Sequence, residues 1–168
     1  MTNSPLVAIV TFKKDNSVKL TTSKDYDRLN RLTAISSAAG TPLSYGYWHN
    51  DANQRVRTTL ADGSRWVYEY DALGQIKSGK KFWADGTPVA GQQFEYSFDD
   101  IGNRTATKSG GDALGGDLRS ASYSPDLLNQ YTQRTNPPAI DVLGAAHAQA
   151  TVLVNSQAAY RKGEFCAY

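Results

Sequence analysis

The residues best suited to catalysis in this chain of 168 residues are two histidines and one cysteine. His49 or His147 could act as general base for a serine, but no Gly-x-Ser-x-Gly turn frames any serine. His49 follows Tyr47 and Trp48, and we interpret it as an exposed strand residue. Both histidines and Cys166 are too dispersed for the ligand spacing of a zinc site. These residues predict neither a catalytic triad nor a metal centre.

A glycine- and lysine-rich segment at residues 74–81 comes close to a phosphate-binding loop. That loop needs Ser or Thr after its lysine to hold magnesium, and it lies between a strand and a helix. Here Lys81 occupies the Ser/Thr position, and Gly74 is predicted to close a hairpin turn. We interpret the match as accidental.

The acids offer two further kinds of chemistry. Asp99 and Asp100, and Asp112 with Asp117, do not fit the twelve-residue calcium loop that ends in Glu. Paired carboxylates for glycoside hydrolysis need a cleft and a raised pKa on one partner, which a sequence does not reveal. We therefore predict no enzyme, no cofactor and no metal.

The acids belong instead to a short phrase that recurs along the chain. Its anchors are spaced 24, 20, 28 and 27 residues apart (51−27, 71−51, 99−71, 126−99). Recurrence at this spacing indicates one supersecondary unit laid down repeatedly. The anchors are Asp27, Asp51, Asp71, Asp99 and, in a weaker copy, Asp126.

The phrase predicts a tight turn. An Asp in the first position can accept hydrogen bonds from backbone N–H groups further along the turn. Three residues later the chain places residues that tolerate a left-handed backbone, namely Asn30, Gly74, Gly102 and Asn129. This combination predicts a type I turn closed by a left-handed residue and its bulge, which reverses a β-hairpin. Gln54 in the second copy departs from the pattern and predicts a strained or different turn.

The segments between the turns read as strands. Aromatic residues two apart share one face of a strand, and such pairs occur at Tyr45 and Tyr47, Tyr68 and Tyr70, and Tyr96 and Phe98. Asp62-Gly63 and Asp85-Gly86 add further hairpin reversals. Residues 55–108 therefore predict an antiparallel meander of about five strands.

The two ends of the chain are less repetitive. Residues 1–20 predict a strand pair, and residues 109–116 predict a flexible loop because of their glycine content. Asn136-Pro137-Pro138 marks a boundary between residues 1–134, a repeat segment, and residues 135–168. We expect the latter to be the truncated start of a following β segment, with Thr151–Val154 a strand, Asn155–Ser156 a turn and Tyr160–Lys162 a returning strand.

Composition narrows the possible partners. Hydrophobic residues make up 40% of the chain, but large aliphatic residues are sparse and aromatics supply much of the buriable area. This predicts a folded sheet with a thin core and open edges. A net charge of +2 with dispersed basic residues predicts no nucleic-acid partner. Neither a signal peptide nor a membrane span is recognisable.

The recurring phrase resembles the YD repeats of the RHS family, whose ideal form is Tyr-Asp, two variable residues, Gly-Arg, then Leu or Ile. The copies at Tyr26-Asp27 and Tyr70-Asp71 match best, and Phe98-Asp99 keeps the acid and the glycine. Asn50 and Pro125 stand where Tyr is expected in the other two copies. The resemblance covers about residues 20–134.

The resemblance implies an all-β fold, a fragment of the shell that bacterial Rhs proteins, toxin-complex C subunits and teneurins build from many such repeats. In the bacterial proteins the shell can enclose a toxic C-terminal domain, released by a self-cleaving segment that has no match here. It further implies a secreted or cell-surface location, and as partners other repeats of a longer parent chain or another copy through sheet edges.

Three functional hypotheses follow. The first is a non-catalytic structural segment in the wall of a larger RHS-type, toxin-carrying protein. The second is a surface module that binds carbohydrate or protein through Trp48, Trp66 and Trp83. The third is a truncated remnant that associates through bare sheet edges.

Overall fold

The structure is a computed structural model that describes residues 6–38 and 43–168. Within these two ranges every regular element is a strand, which confirms the predicted all-β class. The described segments contain no helix with the length and apolarity of a membrane span.

Among the described residues, eleven strands form one antiparallel sheet in which strand order follows chain order, as the predicted meander requires. Five of them lie within residues 55–110, where the sequence predicts about five strands over residues 55–108. The strands are β1 (Ile9–Lys14), β2 (Ser17–Tyr26), β3 (Leu32–Ala38), β4 (Leu43–His49), β5 (Arg55–Thr59), β6 (Arg65–Tyr70), β7 (Ile76–Phe82), β8 (Pro88–Phe98), β9 (Arg104–Gly110), β10 (Leu118–Pro125) and β11 (Tyr131–Arg134).

The remaining strands are short and belong to residues 141–168, which we call the tail. They are β12 (Leu143–Ala145), β13 (Leu153–Val154), β14 (Gln157–Ala158), β15 (Tyr160–Lys162) and β16 (Phe165–Ala167). β16 lies between β12 and β15 in a three-stranded sheet, and β13 pairs with β14.

The pairing of β15 corrects one prediction. Tyr160–Lys162 was expected to return against Thr151–Val154, but it pairs with β16 across the turn at Gly163. The physical reason is local: Asn155 and Ser156 are both left-handed, with φ of 49° and 65°. Such a two-residue turn reverses the chain at once, so β13 is already paired with β14.

The chain divides into two compact units, Met1–Trp66 and Val67–Tyr168. Among the described residues, the buried apolar side chains all lie in the second unit, and each is small. They are Val89, Ala90, Ala121, Cys166 and Ala167. The core is therefore thin, and it lies where the tail packs on β8 to β10.

Candidate functional site

In the part of the chain that the structure describes, eight hairpin loops share one backbone hydrogen-bond pattern. In the loop at Asp71, the Asp71 N–H donates to the Gln75 carbonyl at 3.0 Å, and the Gly74 N–H donates to the Asp71 carbonyl at 3.1 Å. The type I turn with a closing bulge makes these two bonds. The loops are residues 27–31, 50–54, 60–64, 71–75, 83–87, 99–103, 112–116 and 126–130.

The fourth residue of every loop is left-handed, with φ between 60° and 91°. Only Gly and Asn occupy this position, as expected from the cost of a left-handed backbone for other residues. The fourth residues are Asn30, Asn53, Gly63, Gly74, Gly86, Gly102, Gly115 and Asn129.

An acid at the first position organises the loop through its side chain. Asp27 Oδ1 accepts the N–H of Leu29 at 2.8 Å and the N–H of Arg31 at 2.9 Å. These bonds favour the ionised carboxylate, and the backbone N–H of Arg31 is the main cause that holds the pKa of Asp27 below its ordinary value. The same pair of bonds to the third and fifth residues is made by Asp71, Asp99, Asp112 and Asp126.

Two loops carry the acid at the third position instead. Asp62 Oδ1 accepts the Ser64 N–H at 2.9 Å and the Ser64 hydroxyl at 2.6 Å. Asp85 Oδ1 makes the same contacts with Thr87, at 2.9 and 2.7 Å. The Asp-Gly reversals and the Tyr-Asp turns are therefore one backbone loop with the acid in two alternative places.

The second copy of the phrase is shifted by one residue from the predicted register. Asn50 occupies the first position, where its Oδ1 accepts the Gln54 N–H at 2.9 Å, and Asp51 is the second loop residue. The left-handed residue is consequently Asn53, with φ of 61°, and Gln54 is the fifth residue. The turn predicted to be strained has the common geometry, because an Asn amide oxygen can replace the Asp carboxylate.

The segment at residues 109–116 is also more ordered than its composition predicted. Asp112 heads a loop of the common geometry between β9 and β10, and Gly115 is its left-handed residue. In this loop the next strand does not begin directly after the fifth residue, Gly116. Asp117 intervenes before Leu118, the first residue of β10, and this hides the pattern in the sequence.

An aromatic residue precedes three of the acid-led turns and ends the preceding strand. Tyr26 pairs with Leu32 across its hairpin, and its hydroxyl donates to the Val7 carbonyl at 3.2 Å. Phe98 pairs with Arg104 in the same way, and Tyr70 ends β6. The Tyr-Asp phrase thus joins the last strand residue to the first turn residue.

The fifth residue of a loop reaches the next turn at the same end of the meander. In the first unit, Arg31 Nη1 donates to the Asn50 carbonyl at 2.9 Å and to Asn53 Oδ1 at 3.0 Å. In the second unit, Asn103 Nδ2 donates to Asn129 Oδ1 at 3.0 Å. Sequence reasoning missed these links, although the Arg of the ideal phrase stands at this position.

A third link involves a glycine. A Cβ placed on Gly102 would lie 3.0 Å from Gln75 Nε2. Gln75 is again a fifth residue, and Gly102 is the left-handed residue of the next turn at that end. In all three cases the fifth side chain lies against the left-handed residue of the neighbouring turn.

Guanidinium groups and tyrosine rings alternate across the strands of the second unit. Arg104 lies 5.4 Å from the ring centre of Tyr96 and 5.7 Å from that of Tyr123. Arg134, on β11, lies 5.4 Å from Tyr123 on its other side in the strand order. Such contacts stabilise the cation by the ring quadrupole, and they tie four successive strands together.

The tail docks on the second unit through close contacts at glycines. A Cβ on Gly91 would lie 2.4 Å from Leu143 Cδ2, and Gly91 has φ of +74°. Arg119 forms an ion pair with Asp141 directly against Gly110. Both positions admit the tail only because they lack a side chain.

Aromatic and ionic contacts complete the docking. The rings of Trp83 and Phe165 meet edge to face with centres 5.4 Å apart. Lys162 Nζ lies 2.5 Å from Asp85 Oδ2 and 2.6 Å from Thr87 Oγ1. The side-chain hydrogen bond from Lys162 is the main cause that lowers the pKa of Asp85. Lys162 of the tail thus binds Asp85, the third-position acid of its loop.

A cavity of about 530 Å³ lies beside the tail in the second unit. Gly91, Gly111 and the tail residues Tyr160 and Tyr168 line it. Within residues 6–38 and 43–168 there is no group of three or more His, Cys, Asp or Glu side chains arranged to hold a metal ion.

His49 and the lysines of the phosphate-loop-like segment lie in strands of the sheet. His49 is the last residue of β4, and partial burial, followed by the charges of Arg31 and Arg55, lowers its pKa. Lys80 and Lys81 lie in strand β7, so the phosphate-loop context of a strand followed by a helix is not met.

Part of the chain is similar to a known family. The RHS Repeat family model matches residues 49–78. This stretch is therefore similar to an RHS repeat. It spans three of the eight loops, from the turn headed by Asn50 to the turn headed by Asp71. The match therefore includes an acid-led turn and an Asp-Gly turn in sequence. No curated protein sequence matches the chain.

Solved structures with the same fold extend the likeness beyond the RHS repeat. A chain in the crystal structure of TcdB2-TccC3-Cdc42 matches with a TM-score of 0.59, 14% identity and 86% of this chain covered. TcdB2-TccC3 without its hypervariable C-terminal region gives 0.58, 14% and 87%. This chain spans 7% of the length of either one. The likeness shows the fold.

Proposed function

We propose that this chain is a non-catalytic segment in the wall of a larger RHS-type protein that is secreted or surface-associated and carries a toxin. The observation that supports it is the common geometry of eight hairpin loops in the described residues, three of which lie in the stretch that matches the RHS Repeat model. The acids that head the loops accept hydrogen bonds within their turns, and Asp85 and Asp141 pair with Lys162 and Arg119 where the tail docks. In this proposal residues 1–134 form the repeat segment and residues 135–168 a following β segment that covers part of it.

The small core supports the same role. Many large apolar side chains are exposed, including Ile9 at 64% and Phe12 at 55%. In this proposal these side chains contact another part of the assembly. Further windings of a longer chain would cover them.

The test is the size and location of the native polypeptide. An antibody raised against this chain is used on cell fractions and culture medium of the source organism. We expect a band far larger than 18.3 kDa in the envelope or medium fraction. A single 18.3 kDa band confined to the cytosol would contradict the proposal.

A carbohydrate-binding role is the alternative, and it would use exposed tryptophan. Trp48 is 45% exposed, but the Arg57 guanidinium lies 4.4 Å from its ring centre and Gly46 lies against its outer ring atoms. Trp83 packs on Phe165. These contacts favour the structural role. Titration with soluble glycans, read by tryptophan fluorescence, distinguishes the two, since only the alternative predicts a saturable change.

A further inference from the structure

β11 is an edge of the eleven-stranded sheet, and two repeating patterns end there. All four of its residues are exposed. The hairpin that leads into β11 is the loop headed by Asp126, whose fifth residue is Gln130. The edge therefore presents the last member of each pattern to solvent.

The first pattern is the link between successive turns. Arg31, Gln75 and Asn103 are all fifth residues, and each lies against the left-handed residue of the next turn. Gln130 holds the same position, and its side chain is exposed. Gln75 shows that a glutamine at this position is long enough to reach a neighbouring turn.

The second pattern is the alternation of tyrosine and arginine. It runs from Tyr96 on β8 through Arg104 and Tyr123 to Arg134 on β11. Each tyrosine of this series stands three residues before the first residue of its loop, Asp99 or Asp126. A further strand that places a tyrosine at that offset would continue the alternation on the outer side of Arg134.

We propose that the β11 edge is a docking surface for a β-hairpin of the same acid- or Asn-led type. Gln130 binds the left-handed residue of the incoming hairpin, and Arg134 packs on its tyrosine ring. This rests on the proposed function and names the residues that join this segment to the next. The hairpin that fits carries Asn at the left-handed position, because an Asn side chain offers the oxygen that Arg31 and Asn103 both bind.

A second copy of this chain does not satisfy both patterns. A copy has two open edges, β1 and β11. Its β11, paired antiparallel with β11 of this chain, would place its own five-residue loop at the end away from Gln130. Its β1 leads into β2 through the two-residue turn at Asp15 and Asn16. The next five-residue loop, at Asp27, then lies beyond β2 and out of reach of Gln130. Continuing the link requires a strand that leads directly into a five-residue loop.

The probe is a fluorescein-labelled peptide with the sequence of residues 43–60, which contains Tyr47, Asn50 and Asn53. Its loop is the one that Arg31 binds in this structure. Binding to the full chain is followed by fluorescence anisotropy. We expect saturable binding, weakened at least fivefold by Gln130→Ala or by Arg134→Ala in the full chain. Gln133→Ala, an exposed β11 variant outside both patterns, should bind the peptide as the unchanged chain does.

A matched peptide tests the contact between Gln130 and the left-handed residue. Asn53→Gly in the peptide keeps a residue that accepts the left-handed backbone but removes the amide oxygen. The Asn53→Gly peptide should bind the unchanged chain more weakly than the unchanged peptide does. The two peptides should bind the Gln130→Ala variant with equal affinity. Absence of binding, or binding that is indifferent to Gln130 and Asn53, overturns the inference. Neither result changes the size of the native polypeptide, so failure here is distinguishable from failure of the proposed function.

Discussion

Arg31 Nη1 lies 3.0 Å from Oδ1 of Asn53, and so the fifth residue of one turn holds the left-handed residue of the next. The same Arg31 donates through Nε to Asp27 Oδ2 at 2.6 Å within its own turn. One side chain therefore couples the acid of one loop to the backbone of its neighbour. This relationship explains why a turn phrase can order a sheet that buries few large apolar side chains.

The first prediction concerns Arg31. We expect Arg31→Ala to increase amide hydrogen exchange in residues 50–54 as well as in its own loop, because the link to the Asn50 carbonyl and Asn53 is lost. Arg28→Ala, in the same loop and exposed, is the matched control. Unchanged exchange at residues 50–54 in the Arg31 variant would show that the link does not couple the two turns.

The second prediction concerns a left-handed residue. Gly74 has φ of 83°, and Gly74→Val should lower the free energy of unfolding by about 1–2 kcal/mol because a β-branched side chain is strained there. Urea denaturation measures the change. Gly74→Asn should cost less, since Asn30, Asn53 and Asn129 hold the same position in other loops. Equal stability of the Val variant and the unchanged chain would mean that this turn is not as described.

The third prediction concerns acid. The pKa values of Asp27 and Asp99 are lowered from 3.8, for Asp99 mainly by the side-chain hydrogen bond from Asn103. A lowered pKa in the folded state means that its stabilisation is complete above the unfolded value and is lost as the pH falls through the folded value. We expect the contribution of these two carboxyls to stability to be level above about pH 5 and to decline below it.

The Asp99→Asn variant isolates one carboxyl. Its amide oxygen can still accept the turn N–H groups, as Asn50 does, but it does not ionise. We expect its stability to fall less steeply than that of the unchanged chain as the pH drops below 3.8. Identical slopes, measured by urea denaturation at several pH values, would mean that folding leaves the pKa of Asp99 unshifted.

The fourth prediction concerns tail docking. Gly91→Ala adds a Cβ at 2.4 Å from Leu143 on a backbone with φ of +74°, and should displace the tail from β8. Cys166 reports the displacement, because it is only 8% exposed. We expect its thiol to react with an aromatic disulfide reagent about tenfold faster, which corresponds to ~1.4 kcal/mol.

The control for tail docking is Gly74→Ala. Gly74 has a similar φ of 83° but lies in a turn rather than under the tail. This variant should destabilise the unit without selectively exposing Cys166. If both variants accelerate the thiol reaction equally, the effect is general unfolding and the glycine contact is not specific.

The amino-acid sequence by itself determined the class of fold and the kind of turn. Acid, left-handed residue and alternating aromatics are local signals, and hydrogen bonds within five residues decide their outcome. The acids at Asp27, Asp71, Asp99 and Asp126 were found for this reason. The shift from Asp51 to Asn50 arose because an amide oxygen serves the turn as a carboxylate does, so reading only the acid misplaced that copy.

Only the tertiary structure decided what lies next to what. The link from Arg31 to Asn53 spans 22 residues, and the contact from Lys162 to Asp85 spans 77. Neither contact can be predicted from the local sequence pattern. Each forms because strand pairing or tail docking brings together residues that are far apart in the sequence. The tail shows this most clearly, because its position depends on Gly91 and Gly110. A Cβ at either glycine would clash with tail residues, Leu143 and Asp141, that are distant in sequence.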